Sequence, residues 1–162
     1  VTALVLMVLL QTPDAGVSSH PLEGTWQLDL EKSTDTAPIL EQLGINWFVR
    51  KAAKSVRPIH RIRVNHGTLF LEIDGTIAKK RYQIVLDGKT PTKDDFFGDE
   101  FSYVTALEDG AFVSTGRMTN EAKKSGINLR RWLADDGLMI YRITLLPDGK
   151  EPIVIDRVFR RK

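Results

Sequence analysis

What most limits the fold of this chain is the way its sequence, from Gly24 onward, is cut by closely spaced turn signals into short segments of alternating polar and apolar residues. A first strand is expected from Thr25 to Leu30, with Trp26, Leu28 and Leu30 on one face. Segments 59–65, 68–74, 78–86, 99–107, 110–118, 126–134, 137–146 and 151–160 follow with strand-like composition, and a weaker one lies at 89–94. Asn65-His66-Gly67, Asp74-Gly75, Asp87-Gly88, Asp109-Gly110, Asp135-Asp136-Gly137 and Pro147-Asp148-Gly149 separate most of them. Connections that short join only antiparallel neighbours. About ten strands in an open meander would leave long bare edges, and closure removes them. The expected fold is mostly β: an up-and-down antiparallel β-barrel of about ten strands.

The meander is interrupted once. Residues 37–43 and 46–56 read as two short helices broken at Gly44, with Pro38 tolerated in a first turn and Pro58 barring continuation. Leu40, Leu43, Trp47, Phe48 and Ala52 give the pair an apolar side, so it should cover something. A helix-turn-helix lid between the first and second strands is the expectation.

Residues 1–10 are apolar except for Thr2, and a polar stretch follows. Ten residues fall short of the roughly twenty that a spanning helix needs, so the segment reads as the core of a cleaved export signal. Residues 1–21 are therefore assigned to a leader cleaved near Ser19, with a disordered or core-packed N-terminus as the other reading, and 22–162 to one barrel domain. The expected location is exported, periplasmic or secreted; without a leader it would be cytoplasmic. The chain has no cysteine, which removes disulfides and thiolate chemistry, so an exported barrel must hold by packing. A net charge of +2, evenly spread, gives no nucleic-acid surface.

Two arginines stand out against the alternation. In 126–134, Arg131 shares a face with Ile127, Leu129 and Leu133; in 151–160, Arg157 shares one with Ile153, Ile155 and Phe159. A guanidinium on an inward face needs acceptors, because it cannot shed its charge at ordinary pH. Those acceptors are a ligand anion, ordered water, or an internal acid such as Glu72, Asp29 or Glu100; snorkelling to the barrel end is the remaining option. The three histidines, His20, His60 and His66, show no metal-ligand spacing, and no phosphate-binding, dinucleotide or nucleophile-elbow motif is present. No metal or cofactor is expected. His60 shares parity with Ile62 and Val64, as a satisfied core histidine would, with haem ligation the other reading.

Three motifs in order carry a resemblance: Gly24-Thr25-Trp26, the paired helices with Leu43-Gly44 followed by Arg50-Lys51 and a closing Pro58, and a last strand bearing Arg157. From Leu22 to Arg161 the chain resembles the fatty-acid-binding proteins of the calycin superfamily. The resemblance implies a ten-stranded barrel under a helical lid, with a ligand carboxylate held inside by two arginines and a tyrosine. Carried over, the arginines fall on Arg131 and Arg157 and the tyrosine position on Phe159, which lacks the hydroxyl. Leu129, Ile155 and Phe48 complete the expected ligand-binding set. The lid helix of that family meets membranes during ligand transfer. For Trp47 and Phe48, beside Arg50, Lys51, Lys54 and Arg57, two readings stand: simple packing in the core, or transient contact with an anionic membrane.

The function these features favour is non-enzymatic binding, transport or sequestration of a small hydrophobic, anionic ligand by a monomeric barrel. A calycin-fold enzyme polarising such a ligand with Arg131 and Arg157, and a filled barrel acting as a protein-interaction module, are the alternatives.

Overall fold

The structure, a computed structural model, describes residues 19–75, 78–96, 98–120 and 124–162. The apolar segment 1–10 and most of the expected leader lie outside the described residues. Ten strands and two helices follow in the order β1 (Gly24–Asp29), α1 (Ala37–Gln42), α2 (Trp47–Ala53), β2 (Ile59–Asn65), β3 (Thr68–Gly75), β4 (Ala78–Val85), β5 (Asp87–Phe96), β6 (Asp99–Glu108), β7 (Ala111–Met118), β8 (Ser125–Leu133), β9 (Met139–Pro147) and β10 (Ile153–Arg161). All form one antiparallel sheet in the order β4-β3-β2-β1-β10-β9-β8-β7-β6-β5. Pairing of β1 with β10, with Leu28 opposite Phe159 and Trp26 opposite Arg161, joins the ends of the meander and leaves a nearly closed barrel whose edges are β4 and β5.

The sheet's two edges, β4 and β5, meet through side chains. Tyr82 donates its hydroxyl to Asp94 at 2.7 Å, and Lys80 pairs with the same carboxylate at 2.9 Å while also donating to the Asp95 carbonyl. The β5 segment looked weak in sequence because Lys, Thr, Pro and Asp dominate it. Those residues suit an edge: Pro91 costs no ladder bond on an unpaired side, and the register slips between Asp87 and Pro91. At the β6–β7 pairing the strands crowd at Gly116, where an added Cβ would lie 2.2 Å from the Ser102 carbonyl oxygen. Glycine is required there by close approach rather than by backbone angle.

The interior is packed at both ends. At the base, Trp26 is fully buried with Leu22, Leu28, Leu69, Met139 and Phe159. Its indole Nε1 donates to the Leu22 carbonyl at 2.8 Å, and His20 stacks on Phe112 with ring centroids 4.6 Å apart. At the other end, α1 lays Ile39 and Leu43 over Phe101, Met118, Leu145 and Ile155. The break between the helices sits at Gly44, whose φ of +75° is a left-handed conformation suited to glycine. Asn46 caps α2 by accepting from the Val49 amide at 3.1 Å. This helix ends at Ala53 rather than Val56, and none of its residues is buried.

Candidate functional site

Register, not any single strand, assembles the site. Arg131 on β8 lies opposite Tyr141 on β9, and Tyr141 lies opposite Arg157 on β10. The three make one row across adjacent strands, facing inward between the two apolar ends. The row on the lid side is Ser114, Leu129, Ile143 and Ile155, and Phe159 lies on the base side with Met139 and Leu28.

Arg131 is only 6 % exposed, its guanidinium lies over the Tyr141 ring at 3.7 Å from the centroid, and its Nε has no hydrogen-bond partner among the described residues. The stacking supplies a cation–π attraction worth about 2 kcal/mol in a desolvated setting. It does not replace acceptors. Arg157 is half-buried and donates from Nη1 to the Thr34 carbonyl at 2.8 Å. That carbonyl is set by the loop after β1, which runs beside β10 with the Thr34 amide donating to Asp156 and the Val158 amide donating to Ser33. Burial holds the Arg157 guanidinium below its ordinary value, with Asp35 acting in the opposite sense.

The acids that sequence offered as internal partners are engaged elsewhere. Glu72 pairs with Arg61 and Arg81, Asp29 receives Arg160 at 2.6 Å, and Glu100 pairs with Lys93. None of these bonds involves either inward arginine.

Three aromatic rings and a histidine complete the interior polar belt. Burial pushes the Tyr141 phenol up, against the lowering effect of Arg131, so it is a protonated donor at neutral pH. Burial likewise raises Tyr103 and Tyr82, the latter helped by its bond to Asp94. His60 on β2 is buried, stacks on Phe159 with centroids 4.4 Å apart, and meets the Tyr141 ring at 6.2 Å. Its Nδ1 has no partner among the described residues, unlike the satisfied core histidine expected from its parity. Burial, then the charges of Arg131 and Arg157, keep the imidazole neutral by holding its pKa well below the ordinary value.

Of the residues expected in the site, Arg131, Arg157, Phe159, Leu129 and Ile155 share this interior. Phe48 does not join them: it is 78 % exposed on the outer side of α2, edge-on to Trp47, which is 56 % exposed. The apolar side of the paired helices is split, because α1 alone supplies the residues buried against the barrel. Single-strand alternation did not single out Tyr141, and it placed His60 inward only as a core histidine or haem ligand. Tyr141 was reachable by counting. The turn after Leu133 pairs Leu133 with Met139, and two residues back along each strand Arg131 meets Tyr141.

No protein-family model matches the sequence, and no curated protein matches it. Solved structures do match in fold. Lipid binding protein 8 of Caenorhabditis elegans superposes with a TM-score of 0.71 at 17 % identity, covering 88 % of this chain and 96 % of that one. A fatty acid transporter described as REP1-NXSQ gives 0.68 at 18 % identity, over 87 % and 96 %. The Schistosoma mansoni fatty acid binding protein in complex with arachidonic acid gives 0.69 at 13 % identity, over 88 % and 96 %. The architecture, a ten-stranded antiparallel barrel with two helices between its first two strands, is therefore that of the fatty-acid-binding proteins, as the resemblance implied.

Proposed function

We propose that the barrel carries or sequesters a lipid-like acid, with the acyl chain in its apolar interior and the carboxylate between Arg131 and Arg157. The observation that carries this is the inward row Arg131, Tyr141, Arg157, in which a buried guanidinium lacks a hydrogen-bond partner at Nε and stands over a protonated phenol. A carboxylate accepts from several donors at once, which is what this row requires. Phe159 removes a hydroxyl from the position the resemblance gave it, and Tyr141 offers one from the neighbouring strand. A protein of the same fold holding arachidonic acid supports the ligand class. The arginines orient more than they bind: each buried methylene contributes up to ~0.8 kcal/mol, so a chain of about ten exceeds one charge-assisted hydrogen bond.

Carriage is favoured over catalysis by the surroundings of His60. A general base becomes an imidazolium during turnover, and both guanidiniums that act on His60 oppose that charge. Native mass spectrometry of the purified protein, before and after delipidation, tests the proposal. A co-purifying lipid, or uptake of one added palmitate, is expected. An unchanged mass with no uptake would favour a filled barrel, and a chemically altered ligand would favour an enzyme.

Delivery is part of the same proposal. Trp47 and Phe48 project from α2, with Lys51 over the Trp47 ring at 5.0 Å. Arg50 and Lys54 are tied to Glu41 and Asp35, which makes the aromatic pair the stronger contact. Trp47→Ala with Phe48→Ala should slow transfer of a fluorescent fatty acid to anionic vesicles by about tenfold, in line with the lost apolar insertion. An unchanged rate would remove the membrane-contact role. Export through a leader that ends before His20, which stacks on Phe112, belongs to the proposal too, and the mass of the mature N-terminus in an exporting host checks it.

A further inference from the structure

His60 has a feature the carboxylate row does not use. It comes from β2, on the far side of β1 from β10, yet its ring lies against Phe159 and beside the same Tyr141 ring that Arg131 covers. Its Nδ1 is buried with no partner in a wall otherwise made of Ile62, Ile73, Trp26 and Phe159. An apolar side chain would fill that wall without leaving a polar atom unsatisfied, a cost of about 1–3 kcal/mol for a buried group. Arg131, Arg157 and Tyr141 are the charged or titratable groups it faces from β8, β10 and β9.

Resting on the carrier reading, we propose that His60 is a second head-group contact, and that the site takes acids bearing a hydroxyl close to the carboxylate, such as α- or β-hydroxy fatty acids, in preference to the plain chain. Complementarity selects this class. A guanidinium only donates, and a carboxylate only accepts. A neutral imidazole does both, one function at each nitrogen, and so does a hydroxyl. Because burial, and after it the two guanidiniums, keeps this imidazole neutral, it does not add a third cation for a second carboxylate. A hydroxyl satisfies Nδ1 in either tautomer, by donating to the bare nitrogen or accepting from the protonated one. Since Arg131 and His60 flank one ring, the hydroxyl belongs on one of the first carbons of the chain rather than at its far end.

Competition binding with delipidated full-length protein tests this, using palmitate, α-hydroxypalmitate and β-hydroxypalmitate against one fluorescent fatty acid. At least one hydroxy acid should bind roughly fivefold to tenfold more tightly than palmitate, the worth of one hydrogen bond to an otherwise orphaned group. In His60→Phe the ratio of hydroxy-acid to palmitate affinity, measured in that same variant, should fall to about one, since the ring that packs on Phe159 is kept and only the nitrogens are lost. Nitrogen NMR of the wild-type imidazole gives a readout that needs no variant: the preferred hydroxy acid should shift the His60 ring nitrogens, and palmitate should leave them. Palmitate binding without a hydroxy preference, a preference that survives in His60→Phe, or equal shifts with both ligands would overturn the inference and leave the carrier reading standing. Failure of all three acids to bind would overturn both.

Discussion

Arg131→Met is expected to make the empty barrel more stable while weakening fatty-acid binding by about tenfold to a hundredfold, the worth of a charge-assisted contact. The two effects share one cause. Arg131 is buried, its Nε is unpartnered, and the acids within the sequence's reach are bonded to other cations. Holding a charge there without full compensation costs stability. Stacking on Tyr141 offsets only part of that cost. Methionine keeps the length and apolar stem between Phe112 and Tyr141, the residues that flank position 131 in the register. Removing the charge should return about 1–3 kcal/mol, a rise of several degrees in Tm. Calorimetry of delipidated protein measures the first effect and fluorescent titration the second. A fall in Tm of the same size would mean that Arg131 is held by a structural partner and is not kept for a ligand.

Trp26→Ala should carry the largest stability loss in the molecule. The side chain is fully buried, its Nε1 donates to the Leu22 carbonyl at 2.8 Å, and the Arg161 guanidinium covers its ring at 4.3 Å. On β1 it is also paired on both sides, with His60 of β2 and Arg161 of β10. Truncation therefore opens a cavity at the base, orphans the Leu22 carbonyl and loosens the junction that closes the sheet. The expected cost is about 3–5 kcal/mol, against a total stability on the order of 5–15 kcal/mol for a domain of this kind. Urea denaturation should show a much lower midpoint with a similar slope. A loss below about 1 kcal/mol would mean that the base repacks without the indole, contrary to its place in the core.

These two residues also show how far the sequence could be read. Trp26 and Arg131 both sit where period-two alternation puts them, because a strand with one solvated face sorts its residues by parity alone. Glycine-containing turns fixed neighbours for the same reason, and the ten-stranded count followed. Parity says nothing about which residues of different strands lie side by side. Tyr141 escaped notice because β9 carries apolar residues on both faces: Ile140 and Leu146 stand opposite Met139, Tyr141 and Leu145. Only pairing places it between two arginines. His60 was visible as an inward residue, but an unpartnered nitrogen is a property of packed surroundings. Phe48 failed differently. A helix of two turns can be amphipathic in composition while resting on another helix, and α1 had already filled the barrel mouth with Ile39 and Leu43.

The proposed carrier function requires a ligand carboxylate inside the barrel, between Arg131 and Arg157. The most direct measurement is NMR of palmitate labelled at its carboxyl carbon, bound to delipidated protein and followed through an acid titration. One buried and one half-buried guanidinium, with a phenol donor, should keep the bound carboxyl ionised more than about one pH unit below the usual carboxylate range, since opposite charge and hydrogen bonding both favour the ionised form. A single bound resonance that stays unprotonated to such low pH is the predicted result. A label that titrates like a solvated carboxylate, or that never gives a bound resonance, would contradict it.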